Sequence, residues 1–322
     1  MVPKSLGKLR RVLECIPNFS EGRRPEIFQG LVECAETSPD VRLLDASRDP
    51  DHHRSVLTLA GHPKPLASSM LNLYEYALEN INLQRHHGAH PRIGAVDVVP
   101  FVPLAGSSME TAVQTARELG RRVAERFDLP VYLYEAAALR PQRRALPELR
   151  RGGLDGLAER MARPEWAPDF GPSRLHPTAG ATAVGARFFL IAVNSILGTE
   201  DLDVARQIAR EVRESGGGLP AVRALGIDLP SRCRVQVSMN LVDHRRTSLG
   251  TLLAEVRRRA EDRGVEVEET EIIGLVPQEA LAEAAAELRP SAERWADRSL
   301  EGRLRRSDGS PTHSGGSGTT RR

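Results

Sequence analysis

Two histidine-bearing loops hold most of the chemistry-capable residues in the first half of the chain. The sharper is Arg85-His86-His87-Gly88-Ala89-His90-Pro91-Arg92, and the other is Asp49-Pro50-Asp51-His52-His53-Arg54. An imidazole with an ordinary pKa of ~6.5 accepts and returns a proton near neutrality, as acid–base catalysis requires. His90 is the best placed for that work. Pro91 restrains its backbone and turns it away from the helical region, and the loop leads into an apolar strand. The plain alternative is a surface histidine that holds its loop by a hydrogen bond. His86 and His90 also stand four residues apart, a spacing that serves zinc when both lie on one helix face. Gly88 and Pro91 speak against such a helix, so no metal is expected. His86 and His87 read as structural or solvent-facing.

Asp97 stands in the apolar strand Ala95-Val96-Asp97-Val98-Val99. An ionised carboxylate there must be paired, and Arg54 and Arg92 are its candidate partners. Orienting His90 and forming a purely structural ion pair are the two roles open to it. A third feature is the run from Trp166 to Gly180, rich in proline and glycine. Its prolines stiffen it, while Gly171 and Gly180 allow close approach of a ligand. Long loops without regular structure are uncommon inside a folded protein unless they are functional, so ligand binding is preferred over a mere linker. No GxGxxG, GxxxxGK[ST] or GxSxG pattern occurs, which removes the usual dinucleotide, P-loop and nucleophile-elbow readings. Gly216-Gly217-Gly218 reads as a helix stop.

The elements that must position these residues follow from periodicity. A strand fits 11–17, and a helix fits 25–37 through Ile27, Phe28, Leu31, Val32 and Ala35. Strands at Val41–Leu44 and Ser55–Leu59 flank a polar insertion, and a helix covers 64–82. The strand Ala95–Val102, a helix over 108–127 and the strand Val131–Tyr134 complete this portion. Residues 163–185 show neither period. Beyond them the pattern is strand 187–194, helix 200–214, strands 220–226 and 233–241, helix 247–264, strand 265–275 and helix 278–288. This is the β-α-β-β-α-β order of a ferredoxin-like sandwich. The fold class expected is α/β (α+β): two ferredoxin-like-type subdomains, each a mixed sheet with helices on one face, and a ligand groove between them. The expected division is an extension at 1–10, a first subdomain at 11–183 including the loop 163–183, a second at 184–300, and a disordered polar tail at 301–322.

Composition sets the outer bounds. The 322 residues are 40% hydrophobic and 27% charged with a net charge of +2, an ordinary water-soluble balance without the basic stripe of a nucleic-acid binder. Three scattered cysteines, Cys15, Cys34 and Cys233, fit neither a disulfide framework nor a CxxC site and point to a reducing cytoplasm. No signal peptide and no apolar run long enough to span a membrane is evident.

Taken together, several segments resemble the glutamate formimidoyltransferase (formiminotransferase) family. They are Glu14-Cys-Ile-Pro-Asn-Phe-Ser-Glu-Gly22, Asp49-Pro-Asp-His-His-Arg-Ser55 and Gly88-Ala-His-Pro-Arg-Ile-Gly-Ala-Val-Asp97, followed by Trp166-Ala-Pro-Asp-Phe-Gly-Pro-Ser173, Gly185-Ala-Arg-Phe-Phe-Leu-Ile-Ala-Val-Asn194, Gln236-Val-Ser-Met-Asn-Leu241 and Gly274-Leu-Val-Pro277. Their order and spacing hold from about residue 12 to residue 290. The resemblance implies transfer of a formimino group from N-formimino-L-glutamate to tetrahydrofolate, a step of histidine breakdown, in a homodimer of two-subdomain protomers. It puts the family's catalytic histidine on His90. It puts the folate-contacting loop on Gly171, Pro172, Ser173, Arg174, Leu175, His176, Pro177, Thr178, Ala179 and Gly180. Tetrahydrofolate is then the acceptor co-substrate, with no metal, nucleic acid or membrane implied. Some relatives carry a cyclodeaminase domain that this chain is too short to include, so another enzyme would release ammonia from the product.

Two departures stand out: Ser47 falls where some relatives have an acidic residue, and His53 where asparagine is common. Asp49 or Asp51 can substitute for the former and stabilise a protonated formimino nitrogen. Arg54 and Arg92 suit the carboxylates of glutamate or folate, while Asn18 and Ser20 offer neutral hydrogen bonds. The rival readings are a formyltransferase using N-formylglutamate on the same scaffold, a non-catalytic folate-binding protein and a metal-dependent hydrolase.

Overall fold

Pro17 breaks the first strand in two. β1 spans Leu13–Cys15 and β2 spans Asn18–Phe19. A proline has no N–H to give to the ladder; at the break Ile16 N–H bonds to Pro100 O and Pro17 O accepts from Leu57 N–H. The computed structural model describes residues 11–87, 91–104, 106–285, 287 and 298–306. The extension expected at 1–10, His90 and residues 307–322 of the expected tail lie outside the described residues.

The first unit continues through α1 (Pro25–Glu36), β3 (Val41–Asp49), β4 (Arg54–Gly61), α2 (Pro63–Asn80), β5 (Val96–Pro103), α3 (Met109–Phe127) and β6 (Val131–Glu135). It then adds α4 (Leu146–Arg150), α5 (Gly153–Met161) and β7 (Thr182–Ala186). The strands order as β3, β4, β1 with β2, β5, β7, β6, with β7 parallel to both neighbours and the other pairs antiparallel. Period-2 alternation sorts the side chains. Leu13, Cys15, Leu57, Leu59, Leu133 and Val184 pack under α1, α2 and α3. Each such buried leucine is worth roughly 1.5–3 kcal/mol of transfer free energy.

The second unit comprises β8 (Ile191–Leu197), α6 (Leu202–Val212), β9 (Val222–Leu229), β10 (Arg234–Leu241), α7 (Leu249–Glu261) and β11 (Val267–Ile273), followed by α8 (Gln278–Glu283). The sheet order β11-β8-β10-β9 is that of a ferredoxin-like sandwich. Val193, Val235 and Val237 pack under α6 and α7, while Asn194, Gln236 and Ser238 alternate onto the other face.

Five particulars differ from expectation. The second sheet is antiparallel throughout, not mixed. The first unit has helices on both faces: Leu149 of α4 and Leu157 and Met161 of α5 pack against Val98, Tyr132 and Ala183, on the side away from α1 to α3. The polar insertion between the third and fourth strands is mostly strand. β3 runs on to Asp49, whose Oδ1 accepts from the N–H groups of Asp51 and His52 and so makes the turn. The division expected at 183/184 falls inside β7, a short small-residue strand that pairs with β5 and β6. Finally, Leu300–Arg306 at the start of the expected tail is a helix, α9. Leu300 and Leu304, four apart, pack with Val12, Leu44, Ala60 and Leu275.

The units meet at the tip of the β3–β4 hairpin and under α9. His52 Nε2 lies 3.3 Å from the Gln236 amide nitrogen, and Ser231 donates to Asp51 at 2.5 Å. Arg298 pairs with Asp45 at 3.1 Å. Among the described residues no helix is long and apolar enough to cross a membrane.

Candidate functional site

The loop bearing His90 is described at its two ends. Leu83–Arg85 forms a single 3₁₀ turn capped by Asn82, whose Oδ1 accepts from Gln84 N–H at 3.0 Å. His86 follows, buried, with its ring stacked on His53 at 4.0 Å and its Nε2 2.9 Å from His53 O. Burial pushes His86 down to about 4, so it is neutral at neutral pH. Arg92 donates to His86 O at 2.7 Å and joins the two ends of the loop. His53 rests in turn on Glu21, 3.1 Å away. Burial raises Glu21, but backbone N–H groups of Arg24 and Arg23 and the Arg24 side chain outweigh this and hold it at about 2.

Beside this loop the sheet carries a charged cluster. Asp97, on β5, is 1% exposed. Its Oδ1 accepts from Ile93 N–H at 2.8 Å, and its Oδ2 takes Arg150 and, at 3.3 Å, Arg54. Arg54 also donates to Asn18 Oδ1 at 2.8 Å, while the Asn18 amide donates to Ile16 O. Ser20 Oγ donates to Gly94 O at 2.7 Å. Both residues expected to offer neutral hydrogen bonds therefore brace the local backbone. Of the two arginines expected beside Asp97, Arg54 makes the direct ion pair, and Arg92 feels the carboxylate at longer range. Arg150 was not singled out in the sequence. Leu146, Leu149, Leu157 and Met161 are the apolar positions of α4 and α5 around it, and that spacing was the available signal.

The segment from Trp166 to Gly180 is fastened to the same region. Arg143, wholly buried, pairs with Asp169 at 2.5 Å and donates to Ala167 O. Asp169 accepts from Leu133 N–H at 2.7 Å, and Tyr132 donates to Trp166 O at 2.9 Å. Further on, His176 and Gly180 close a turn on each other, and His176 Nδ1 accepts from Ala179 N–H at 3.1 Å. The turn docks against both ends of the His90 loop. Leu83 N–H donates to Thr178 O, Ala95 N–H to Ala179 O and Ala181 N–H to Ile93 O, at 2.8, 2.9 and 2.8 Å. Gly94 and Gly180 sit where these backbones touch. A Cβ on Gly94 would lie 1.8 Å from Ala181 O, and one on Gly180 2.4 Å from Ile93 O. Gly171, Ser173, Arg174 and Pro177 are exposed, Pro172, Leu175, His176 and Thr178 half-buried, and Ala179 and Gly180 buried.

The remaining acidic candidates sit at the hairpin tip. Asp49 Oδ2 is 2.5 Å from His52 Nδ1. Burial works against its ionisation, yet its hydrogen bonds to His52 and Asp51 leave its pKa below the ordinary value. Ser47 lies on β3 opposite Val56, two residues from both Asp45 and Asp49. One buried carboxyl that sequence reasoning did not single out is Glu14, on β1 at 1% exposure. Burial, set against the charge of Arg187, pushes it up to about 7. Among the described residues no group of His, Cys, Asp and Glu is arranged to hold a metal ion.

Comparison with known proteins fits this layout. The formiminotransferase domain, N-terminal subdomain, matches residues 12–187, and the formiminotransferase domain matches residues 192–294. The chain belongs to the formiminotransferase family. The match boundary falls after β7, where the first sheet ends. A glutamate formimidoyltransferase of Streptococcus pyogenes serotype M1 is 42% identical over 277 residues, 86% of this chain and 93% of that protein. One from Thermoplasma acidophilum is 41% identical over 276 residues, 85% of this chain and 91% of that protein. The formimidoyltransferase-cyclodeaminase of Sus scrofa is 41% identical over 285 residues, and there the chain spans 52% of the longer protein. The formiminotransferase match thus covers both sheets, the hairpin tip between them and the docked turn.

Proposed function

We propose that the chain transfers the formimino group from N-formimino-L-glutamate to N5 of tetrahydrofolate, giving 5-formimidoyltetrahydrofolate and L-glutamate. His90 is the general acid–base, and Gly171–Gly180 contacts the folate. One observation carries the reading. The turn at 176–180 is hydrogen-bonded to Leu83 and Ala95, on either side of the His90 loop, which supports a shared site for the two segments.

The chemistry asks for little else. The folate N5 amine attacks the amidine carbon and loses a proton, and the departing glutamate nitrogen gains one. A single imidazole serves both steps in turn. Asp49 is held in its ionised form near neutrality and suits a protonated formimino nitrogen, with Asp51 next to it. Arg54 and Arg92 offer guanidinium forks to substrate carboxylates. Asp97 is paired to arginines, so its role toward His90 is indirect, through the position of Ile93 and the loop it ends. The same reading has the enzyme work as a cytoplasmic homodimer, which light scattering and cell fractionation test.

The decisive assay incubates the protein with tetrahydrofolate and either N-formimino-L-glutamate or N-formyl-L-glutamate, and identifies the folate product by mass. Formimino transfer is expected. Transfer from the formyl donor alone makes the chain a formyltransferase, and folate binding without turnover from either makes it a binding protein.

A further inference from the structure

Arg150 enters the site from α4 and reaches a carboxylate that already has a guanidinium partner. Asp97 lies at the bottom of the cluster at 1% side-chain exposure, while Arg54 and Arg150 lie over it at 14% each. The carboxylate needs neither arginine alone to be satisfied, since Ile93 N–H serves Oδ1 and one guanidinium would serve Oδ2. Bringing the second beside the first puts two like charges together in a poorly solvated place. Burial, and after it the charge of Arg150, pushes Arg54 down to about 10. A purely structural pair gains nothing from that repulsion. A second anion placed against the pair relieves it, and a carboxylate fits a guanidinium in two parallel hydrogen bonds.

The location fits a substrate group. Leu149, next to Arg150, packs in the cluster that contains Ile93 and Ala181, with Leu175 against it. Arg150 itself reaches Asp97 on β5, the strand that follows the His90 loop.

We infer that Arg54 and Arg150, held together by Asp97, form the binding site for a carboxylate of the donor's glutamate half. The inference rests on the formimino-transfer reading for its choice of donor. Asp97 is then a positioning residue that sets the spacing of the two guanidiniums. The tetrahydrofolate ring is not held there.

Initial-rate kinetics on Arg150→Ala and Arg150→Lys test this, with each substrate varied in turn. The KM for N-formimino-L-glutamate is expected to rise roughly 10- to 150-fold in Arg150→Ala, the loss of a charged hydrogen-bonded contact. It should rise less in Arg150→Lys, which keeps the charge but not the fork. The KM for tetrahydrofolate should stay within about threefold. Inhibition by the product L-glutamate should weaken in parallel with the donor KM. A structural role for Arg150 would instead raise both KM values together or lower kcat alone, and either result overturns the inference. Should Arg150→Ala not fold, Arg150→Lys decides: an unchanged donor KM overturns it. Failure of the broader reading looks different. Wild-type protein inactive with N-formimino-L-glutamate, yet stabilised against heat by L-glutamate in an Arg150-dependent way, keeps the carboxylate site and rejects the reaction. An active wild type whose donor KM ignores Arg150 keeps the reaction and rejects the site.

Discussion

The two sheets of this molecule bury very different kinds of polar group. Among the described residues, the first unit encloses Glu14, Glu21, His52, His53, His86, Asp97 and Arg143, all at 9% exposure or less. The second encloses Asn194, Ser195, Gln236 and Thr247, none of them charged. Burying an ionisable group is costly unless it is paired or gives up its charge, so a fold accumulates such groups mostly where pairs can be built. The first unit has the means: a mixed sheet, helices on both faces and a docked turn that supply partners from distant parts of the chain. The ferredoxin-like second unit places Asn194, Gln236 and Ser238 on its helix-free face beside Arg223 and Glu271, and meets the charged tip of the β3–β4 hairpin with Gln236 and Ser231. Among the described residues the buried charge thus lies in the first unit, while the buried polar groups of the second are neutral.

Among the changes that test this contrast, the largest effect is expected at the proposed proton carrier of the first unit. His90→Ala is expected to lower kcat by about 10²- to 10⁴-fold, with folate affinity, measured by calorimetry, changed only a few-fold. Equal loss of binding would move His90 from chemistry to structure. Next is Arg143→Ala, which leaves Asp169 buried and unpaired. Removing one partner of such a pair costs about 3–5 kcal/mol, to be read from urea unfolding, and it should loosen the 166–171 segment enough for proteolysis there.

Glu14→Gln comes third and has a definite sign. The carboxyl is raised from 4.5 unfolded to about 7 folded. The native state therefore holds its proton more tightly, and the stability linked to it is full below pH 4.5 and lost as pH rises to 7. The isosteric amide removes that loss. The variant should match wild type at pH 4.5 and exceed it by up to roughly 3 kcal/mol at pH 8; a difference constant with pH would contradict this. The smallest effect belongs to the second unit. Gln236→Ala is expected to cost about 1 kcal/mol of stability and less than about tenfold in kcat/KM, the equivalent of one neutral contact. A loss as large as that from His90→Ala would break the division between the units.

Much of this was legible in the residues. The β-α-β-β-α-β order of the second half gave its sheet, because alternating strands and amphipathic helices of that length leave few ways to bury their apolar faces. His90, Asp97, Arg54 and the run from Trp166 to Gly180 were marked by residue type and by their proline and glycine neighbours, and the narrowing to 171–180 came with the family resemblance. Less visible were α4, α5 and β7. Short helices carry few turns of signal, and a strand such as Thr-Ala-Val-Gly-Ala offers small side chains instead of a β-branched run.

What the tertiary structure alone decided is which charges meet. Asp97 and Arg150 are 53 positions apart, and His52 and Gln236 are 184 apart. Nothing local ties either pair. Types and spacing determine what each side chain can do, because ionisation and backbone freedom are properties of the residue and its neighbours. Pairing is fixed only when the strands are in register and the helices packed, since an ion pair needs its partner within a few ångströms. The sequence alone, through residue types and the family resemblance, pointed to the candidate proton carrier and the candidate folate loop at 171–180. Folding decided that Asp97 is yoked to two arginines, that the turn at 176–180 is bonded to Leu83 and Ala95 on either side of the His90 loop, and that Gln236 and Ser231 meet the hairpin tip.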